Sequence, residues 1–122
     1  MVEIPNQEWD TFCARINELR QQALLTIEVL RGGNQREQIV RELPLQKIEL
    51  DRSDACNDRI ALHLGVPAQR PLTHLIVQPI HIMLRPAENG SFNPLEIDAE
   101  SGISFLTFHP ALRADILHGL KL

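Results

Sequence analysis

The sequence predicts an α+β fold: an N-terminal amphipathic helix packed on a strongly curled antiparallel sheet of five or six strands, or a small partly open barrel, with a short C-terminal helix. Three observations carry that expectation. Apolar residues recur at three- and four-residue spacing only near the two ends of the chain, and at two-residue spacing between them. Short turn signals rich in Gly and Asn separate the alternating runs, without the strand–helix alternation that builds a parallel sheet. Pro44 and Pro79 interrupt two of the longest runs, and proline inside a strand marks a bulge, an edge or a bend.

The first helix is expected over about residues 6–22. Asn6 is placed to cap it, and Glu8 and Asp10 put negative charge in its first turn, where the helix dipole favours it. Trp9, Phe12, Cys13, Ile16 and Leu19 form its apolar stripe, while Arg15, Asn17, Glu18 and Gln21 fall on the other side. Leu25, Ile27 and Val29 then alternate with Thr26, Glu28 and Leu30, which is strand spacing. Gly32-Gly33-Asn34 tolerates positive φ and predicts a tight hairpin. The return strand runs from about Glu37 through Leu43, and Leu45, Ile48 and Leu50 carry it past Pro44 as a bent strand. A polar loop follows from Asp51 to Asp58.

Ile60, Leu62, Leu64 and Val66 alternate with Arg59, Ala61, His63 and Gly65. Leu72 to Leu84 is the longest apolar stretch, read as two strand halves kinked at Gln78-Pro79. Asn89-Gly90 is a turn, Leu95 and Ile97 form a strand, Ser101-Gly102 is a second tight turn, and Ile103 to Phe108 is the partner strand. Pro110 suits the first position of a helix. The stripe of that final helix is Leu112, Ile116, Leu117 and Leu120, which can pack on the chain's own sheet or on another chain.

The whole chain, residues 1–122, reads as one domain, since domains cluster at about 100–150 residues. Hydrophobic residues make up 43%, enough to argue against disorder. The aromatics are few (Trp9, Phe12, Phe92, Phe105 and Phe108), which argues against an aromatic platform for sugars or bases. Acidic residues outnumber basic ones, 16 to 12, so no general pull on phosphates is expected. Arg31 and Arg36, flanking the first hairpin turn, are the one candidate for a phosphate-binding pair, and RNA binding would need Arg31, Arg36, Arg41 and Arg52 to converge. Two cysteines, Cys13 and Cys56, do not make a disulfide scaffold. Cys13 is expected buried, whereas Cys56 is expected exposed and would be reactive only if a base such as Arg52 or Arg59 lowered its pKa. Met1 to Gln7 carries neither a basic start nor an apolar stretch, and no apolar run approaches the ~20 residues of a membrane span, so the expected setting is cytoplasmic with no membrane contact.

His74 stands out, because it interrupts an apolar strand and histidine can carry a proton or bind a ligand. Against that, no nucleophile or second acid is spaced with it, and a hydrogen-bonded histidine fixing the kink before Pro79 is the favoured reading. It is the one weak catalytic candidate, with Glu42 or Asp98 as an acid partner. His63, His81, His109 and His118 form no zinc-like spacing, and His74 and His81 fall on opposite faces of an unbroken strand. No metal or cofactor is expected. Asp51, Asp54, Asn57 and Asp58 lack the alternate spacing and bend glycine of a calcium loop and read as turn residues. Glu96, Asp98 and Glu100 share one strand face and read as a solvated or edge-protecting set rather than a carboxylate pair for catalysis. Gly32-Gly33 does not match a phosphate-cradling loop.

Several short motifs add a resemblance. Ile4-Pro5 with Trp9 and Phe12, Thr26-x-Glu28-Val29, Arg41-Glu42-Leu43-Pro44-Leu45 with Ile48, Leu72-Thr73-His74-x-Ile76-x-x-Pro79, and Leu95-Glu96-Ile97 ahead of Gly102 and Phe108 are similar to a family of short bacterial proteins known only as a domain of unknown function. The similarity covers about residues 4–108, with 110–122 as a helical extension. It implies a bacterial domain and brings no activity, cofactor or catalytic residue. The expected function is therefore a non-enzymatic protein-interaction or self-associating domain, with a homo-oligomer as the natural form and Leu112, Ile116, Leu117 and Leu120 as the contact. A small-barrel RNA- or small-ligand-binding module is the alternative, and a small hydrolase or isomerase using His74 the second.

Overall fold

The computed structural model describes residues 1–52, 58–66, 69 and 71–122. Among them are nine strands: β1 (Val2–Ile4), β2 (Leu24–Leu30), β3 (Glu37–Asp51), β4 (Arg59–Leu64), β5 (Leu72–Val77), β6 (Pro79–Pro86), β7 (Ser91–Ala99), β8 (Gly102–His109) and β9 (Leu112–Arg113). One helix, α1 (Trp9–Leu19), follows a 3-10 turn at Asn6–Glu8. The strands pair antiparallel in the order β1-β6-β7-β8-β2-β3-β4-β5, and β9 pairs with β7 where β8 has ended.

The long strand β3 joins two arms. Its first half pairs with β2 up to Pro44, and its second half pairs with β4 from Leu45 onward. Between them the ladder slips: Leu25 faces Leu43, yet Ile27 faces Val40. The extra residue is accommodated at Glu42, with φ 47°, whose N–H bonds Thr26 Oγ1 instead of the ladder. The chain returns to the first arm at Gln78, with φ 53°, between β5 and β6. The bend near Pro44 and the kink at Gln78-Pro79 therefore lie where the sequence placed them.

The expected curling does not. The sheet is open, neither closed nor strongly curled, and β1 and β5 end it without pairing to each other. The two bends are spent on moving strands between arms, so no barrel closes. The strand count is also higher than five or six, because β1 and β9 are too short to show a period and the kinked run counts twice.

Alternation decides which side is buried. Leu25, Ile27 and Val29 of β2, Leu95 and Ile97 of β7, Leu106 and Phe108 of β8, and Ile60, Leu62 and Leu64 of β4 join one core with Trp9, Phe12, Cys13 and Ile16 of α1. Complete burial of such side chains contributes about 1.5–3 kcal/mol each. Asn17 then locks the helix down, because its side chain accepts from Ile48 N–H and donates to Ile48 C=O, both at 2.8 Å. Asn6 does not cap the helix. Its carbonyl groups are taken by Arg52, at 2.9 Å to the side chain and 2.7 Å to the backbone, while the guanidinium lies 5.5 Å over the Trp9 ring.

The C-terminal helix is absent. Leu112 extends along β7 opposite Phe92, and Ala114–Leu117 makes one 3-10 turn. A helix needs a nucleus before it gains from propagation, and this short tail gains more by pairing with β7. Leu112 and Ile116 are fully buried in the chain's own core, and Leu117 and Leu120 pack against it. Arg15 and Arg20 hold the tail to α1 through the carbonyls of Asp115 and Ala111, and Glu8 accepts from Lys121 N–H at 2.7 Å.

Candidate functional site

Residues of β5 alternate between two environments. Leu62 and Ile60 of β4 stand opposite His74 and Ile76 on the core side, and His63 and Ala61 stand opposite Thr73 and Leu75 on the outer side. The outer side leaves Leu75 at 47% and Val77 at 43% exposed, while Leu72, at the start of β5 on the parity of His74, is 41% exposed and Ile80, at the entry to β6, 55%. Among the described residues no strand pairs with the far edge of β5.

On its core side β5 meets the turn between β7 and β8. Val29, Arg31, His74, Leu75, Ile76, Ala99, Ser101, Gly102 and Ser104 line a small open cleft of about 30 Å³ there. His74 Nε2 lies 3.4 Å from Ser104 Oγ, and Ser104 is only 6% exposed. Burial, and secondly the charge of Arg31, hold the His74 imidazole below its ordinary pKa, so it is neutral at pH 7. His74 thus has a hydroxyl partner and lines a cleft, but its acid partners are missing. Asp98 lies on the opposite face of the sheet, and Glu42 stands exposed on the β3 bulge. The expected pairing of His74 with either does not form, and a weakened base facing a buried serine is poorly placed for nucleophilic chemistry.

The other histidines are dispersed. His63 contacts Glu49 at 3.2 Å and Thr73 at 3.3 Å, His81 contacts Glu3 at 2.9 Å, and His109 and His118 are exposed. Among the described residues no three His, Cys, Asp or Glu side chains are grouped to hold a metal ion. Asp54, Cys56 and Asn57, from the loop that the calcium and thiol readings used, lie outside the described residues. Asp58 supplies its carbonyl to Gln78 N–H at 2.8 Å.

Glu96 and Asp98 do share a face, as parity predicts, but the set is not simply solvated. Glu96 is 6% exposed and takes two bonds from Arg85, at 3.1 and 2.9 Å. Burial, the Glu96 charge and a hydrogen bond with Glu96 push the Asp98 carboxyl up. Glu100 has left the strand for the exposed turn. The arginines do not converge either: Arg36 lies 3.6 Å over the Phe105 ring, Arg52 covers Trp9, Arg41 is exposed on β3, and Arg31 borders the cleft.

The fold is an antiparallel sheet domain with one N-terminal helix. The chain belongs to the family of unknown function DUF5335, whose model matches residues 1–115. The match runs past His109 to include β9 and the start of the last turn. No curated protein and no solved structure matches the chain. No described helix is long and apolar enough to cross a membrane.

The β5 edge and the cleft were both hard to read from sequence. Leu72, Leu75 and Val77 look like core residues in an apolar run, and only strand order shows which strand is last. Arg31 and Ser104 are 73 residues apart in sequence and meet only through the pairing of β2 with β8.

Proposed function

We propose that this chain is a protein-interaction domain that associates with a second copy of itself through the free edge of β5. The observation that carries the reading is the exposure of Leu72, Leu75 and Val77 on β5, a strand whose far edge is unpaired among the described residues, with exposed Ile80 close after it at the entry to β6. Edge strands are ordinarily protected by charge, short length or proline. The six residues Leu72–Val77 hold no Lys, Arg, Asp or Glu.

The strand is also self-complementary. An antiparallel two-fold pairing centred on Leu75 sets Leu75 against its counterpart and Thr73 against Val77 on the outer face, with His74 against Ile76 beneath. No like charges meet, and the apolar outer residues cover each other. The reading moves the contact away from the C-terminal stripe, which is occupied by the chain's own core. It places the domain in a bacterial cytoplasm, and the buried free thiol of Cys13 supports a reducing setting.

Sedimentation equilibrium across a concentration series tests this. The parent should show a monomer–dimer equilibrium. Leu75→Lys should shift it toward monomer by tenfold or more in dissociation constant, while Thr107→Lys, on exposed β8 surface, should leave it unchanged. A parent that stays monomeric throughout, or a dimer that Leu75→Lys leaves intact, would refute the reading.

A further inference from the structure

His74 is half-buried on the core side of β5, with Leu62 of β4 opposite it. Pairing a second β5 about Leu75 sets the partner's Ile76 on its other side, because positions 74 and 76 are equally spaced about that centre. The imidazole then lies between two aliphatic side chains. The two copies of His74 become diagonal neighbours across the seam, their backbones about 7–8 Å apart. We infer that acid dissolves this dimer: protonating His74 gathers two imidazolium groups and two Arg31 guanidiniums along a seam with no described carboxylate to balance them. The inference rests on the β5 pairing proposed above.

The described groups around His74 are neutral or cationic on every side. Leu72–Val77 contributes no other titrating group, and β4 contributes Leu62. From β2 and its end come Val29 and Arg31, and from the β7–β8 turn and β8 the hydroxyls of Ser101 and Ser104. Glu100, in the same turn, does not line the cleft, and Glu96 and Asp98 lie on the opposite face of the sheet from Ser104. Ser104 Oγ, 3.4 Å from His74 Nε2, can serve a neutral ring as well as a charged one, so it does not hold the proton in place. Burial, and secondly the Arg31 charge, already disfavour the imidazolium in the single chain. Pairing adds the partner's Ile76 and a second set of cations, which act in the same direction.

His63 is the other described histidine beside the seam. It stands on the outer side against Thr73, with Glu49 at 3.2 Å and Lys47 on that same carboxylate. Its imidazolium has a carboxylate within reach, so pairing gives no cause to expel its proton.

A proton that the single chain binds and the dimer rejects makes association depend on pH. Two protons leave for each dimer formed. The dimer is therefore held above the His74 midpoint of the single chain and is lost as pH falls through it. Complete exclusion raises the dissociation constant about fourfold at that midpoint and up to about a hundredfold per pH unit below it.

Leu75→Lys, the monomeric variant, supplies the midpoint through an NMR titration of the His74 ring. Sedimentation equilibrium of the parent, from pH 7.5 to one unit below the midpoint, then reads the dimer. The dissociation constant is expected to rise about tenfold or more over that span. His74→Gln keeps a partner for Ser104 and takes up no proton, so it should dimerise at pH 7.5 and lose the pH dependence. His63→Gln should retain it. A parent dimer equally tight across the span, a His74→Gln dimer as acid-sensitive as the parent's, or a His63→Gln dimer that ignores acid would each overturn the inference. A parent that is monomeric at pH 7.5 removes the β5 pairing itself, whereas a dimer indifferent to pH leaves the pairing standing and removes only its regulation.

Discussion

Replacing Asn17 by Ala should unfasten the helix from the sheet. Asn17 Nδ2 donates to the Ile48 carbonyl and Oδ1 accepts from the Ile48 N–H, each at 2.8 Å, and Ile48 is 2% exposed. Truncation leaves both backbone groups without a partner in a poorly hydrated place. An orphaned buried group costs about 1–3 kcal/mol, so the pair costs about 2–6 kcal/mol. Alanine returns about 0.6 kcal/mol through its better helix propensity, which leaves a net loss of about 1.4–5.4 kcal/mol. Against a stability of about 6–18 kcal/mol for a chain of this length, that is a large fraction. Trp9, the single tryptophan, is buried between α1 and the sheet, so its fluorescence reports unfolding directly. In urea the midpoint should fall by about 1 M or more. Asn17→Asp keeps the acceptor and loses the donor, so it should fall between parent and Ala. An Asn17→Ala midpoint equal to or above the parent's would refute the docking role, because that is what a solvent-facing helix position gives.

Two further outcomes follow from the titrating groups. The Asp98 carboxyl is raised above its ordinary 3.8 by burial first and then by Glu96, so the folded state holds that proton more tightly than the unfolded chain does. Its favourable contribution is complete below 3.8 and is lost as pH rises through the raised value. Asp98→Asn should therefore be more stable than the parent at pH 7 and no more stable at pH 3, with urea midpoints at the two pH values as the check. The Cys13 thiol is pushed up to about 12, chiefly by burial and secondarily by Asp10. An aromatic disulfide reagent at pH 8 should leave Cys13 unlabelled in the native protein and label it in urea, as read by peptide mapping. Native labelling at Cys13 would show that α1 opens far more readily than its burial implies.

Period and punctuation carried much of the fold. Trp9, Phe12, Cys13 and Ile16 recur on one helical face and are all buried in α1, and Leu25, Ile27 and Val29 alternate and are all buried in β2. The kink at Gln78-Pro79 and the bend near Pro44 were legible because proline removes a ladder donor wherever it sits. Periodicity failed where one pattern serves two structures. Leu112, Ile116, Leu117 and Leu120 fit a helix, yet the same side chains reach the core from a strand and a 3-10 turn. Asn17 was placed on the polar side because its hydrogen-bond partner, Ile48, is 31 residues away.

What the sequence alone determined is local: which residues prefer a helix or a strand, where the chain turns, and which side of each element is apolar. It also determined family membership, through motifs that run the length of the domain. What only the tertiary structure decided is which elements are neighbours. Strand order made β5 an edge and left Leu75 and Val77 in solvent, although neither differs in character from Leu62 or Ile60 in the core. The same order put Arg31, His74 and Ser104 around one cleft and sent Asp98 to the other face. Side-chain preference acts over a few residues, whereas a site is made by pairings that close loops of tens of residues, and only the energy of the whole core selects among them.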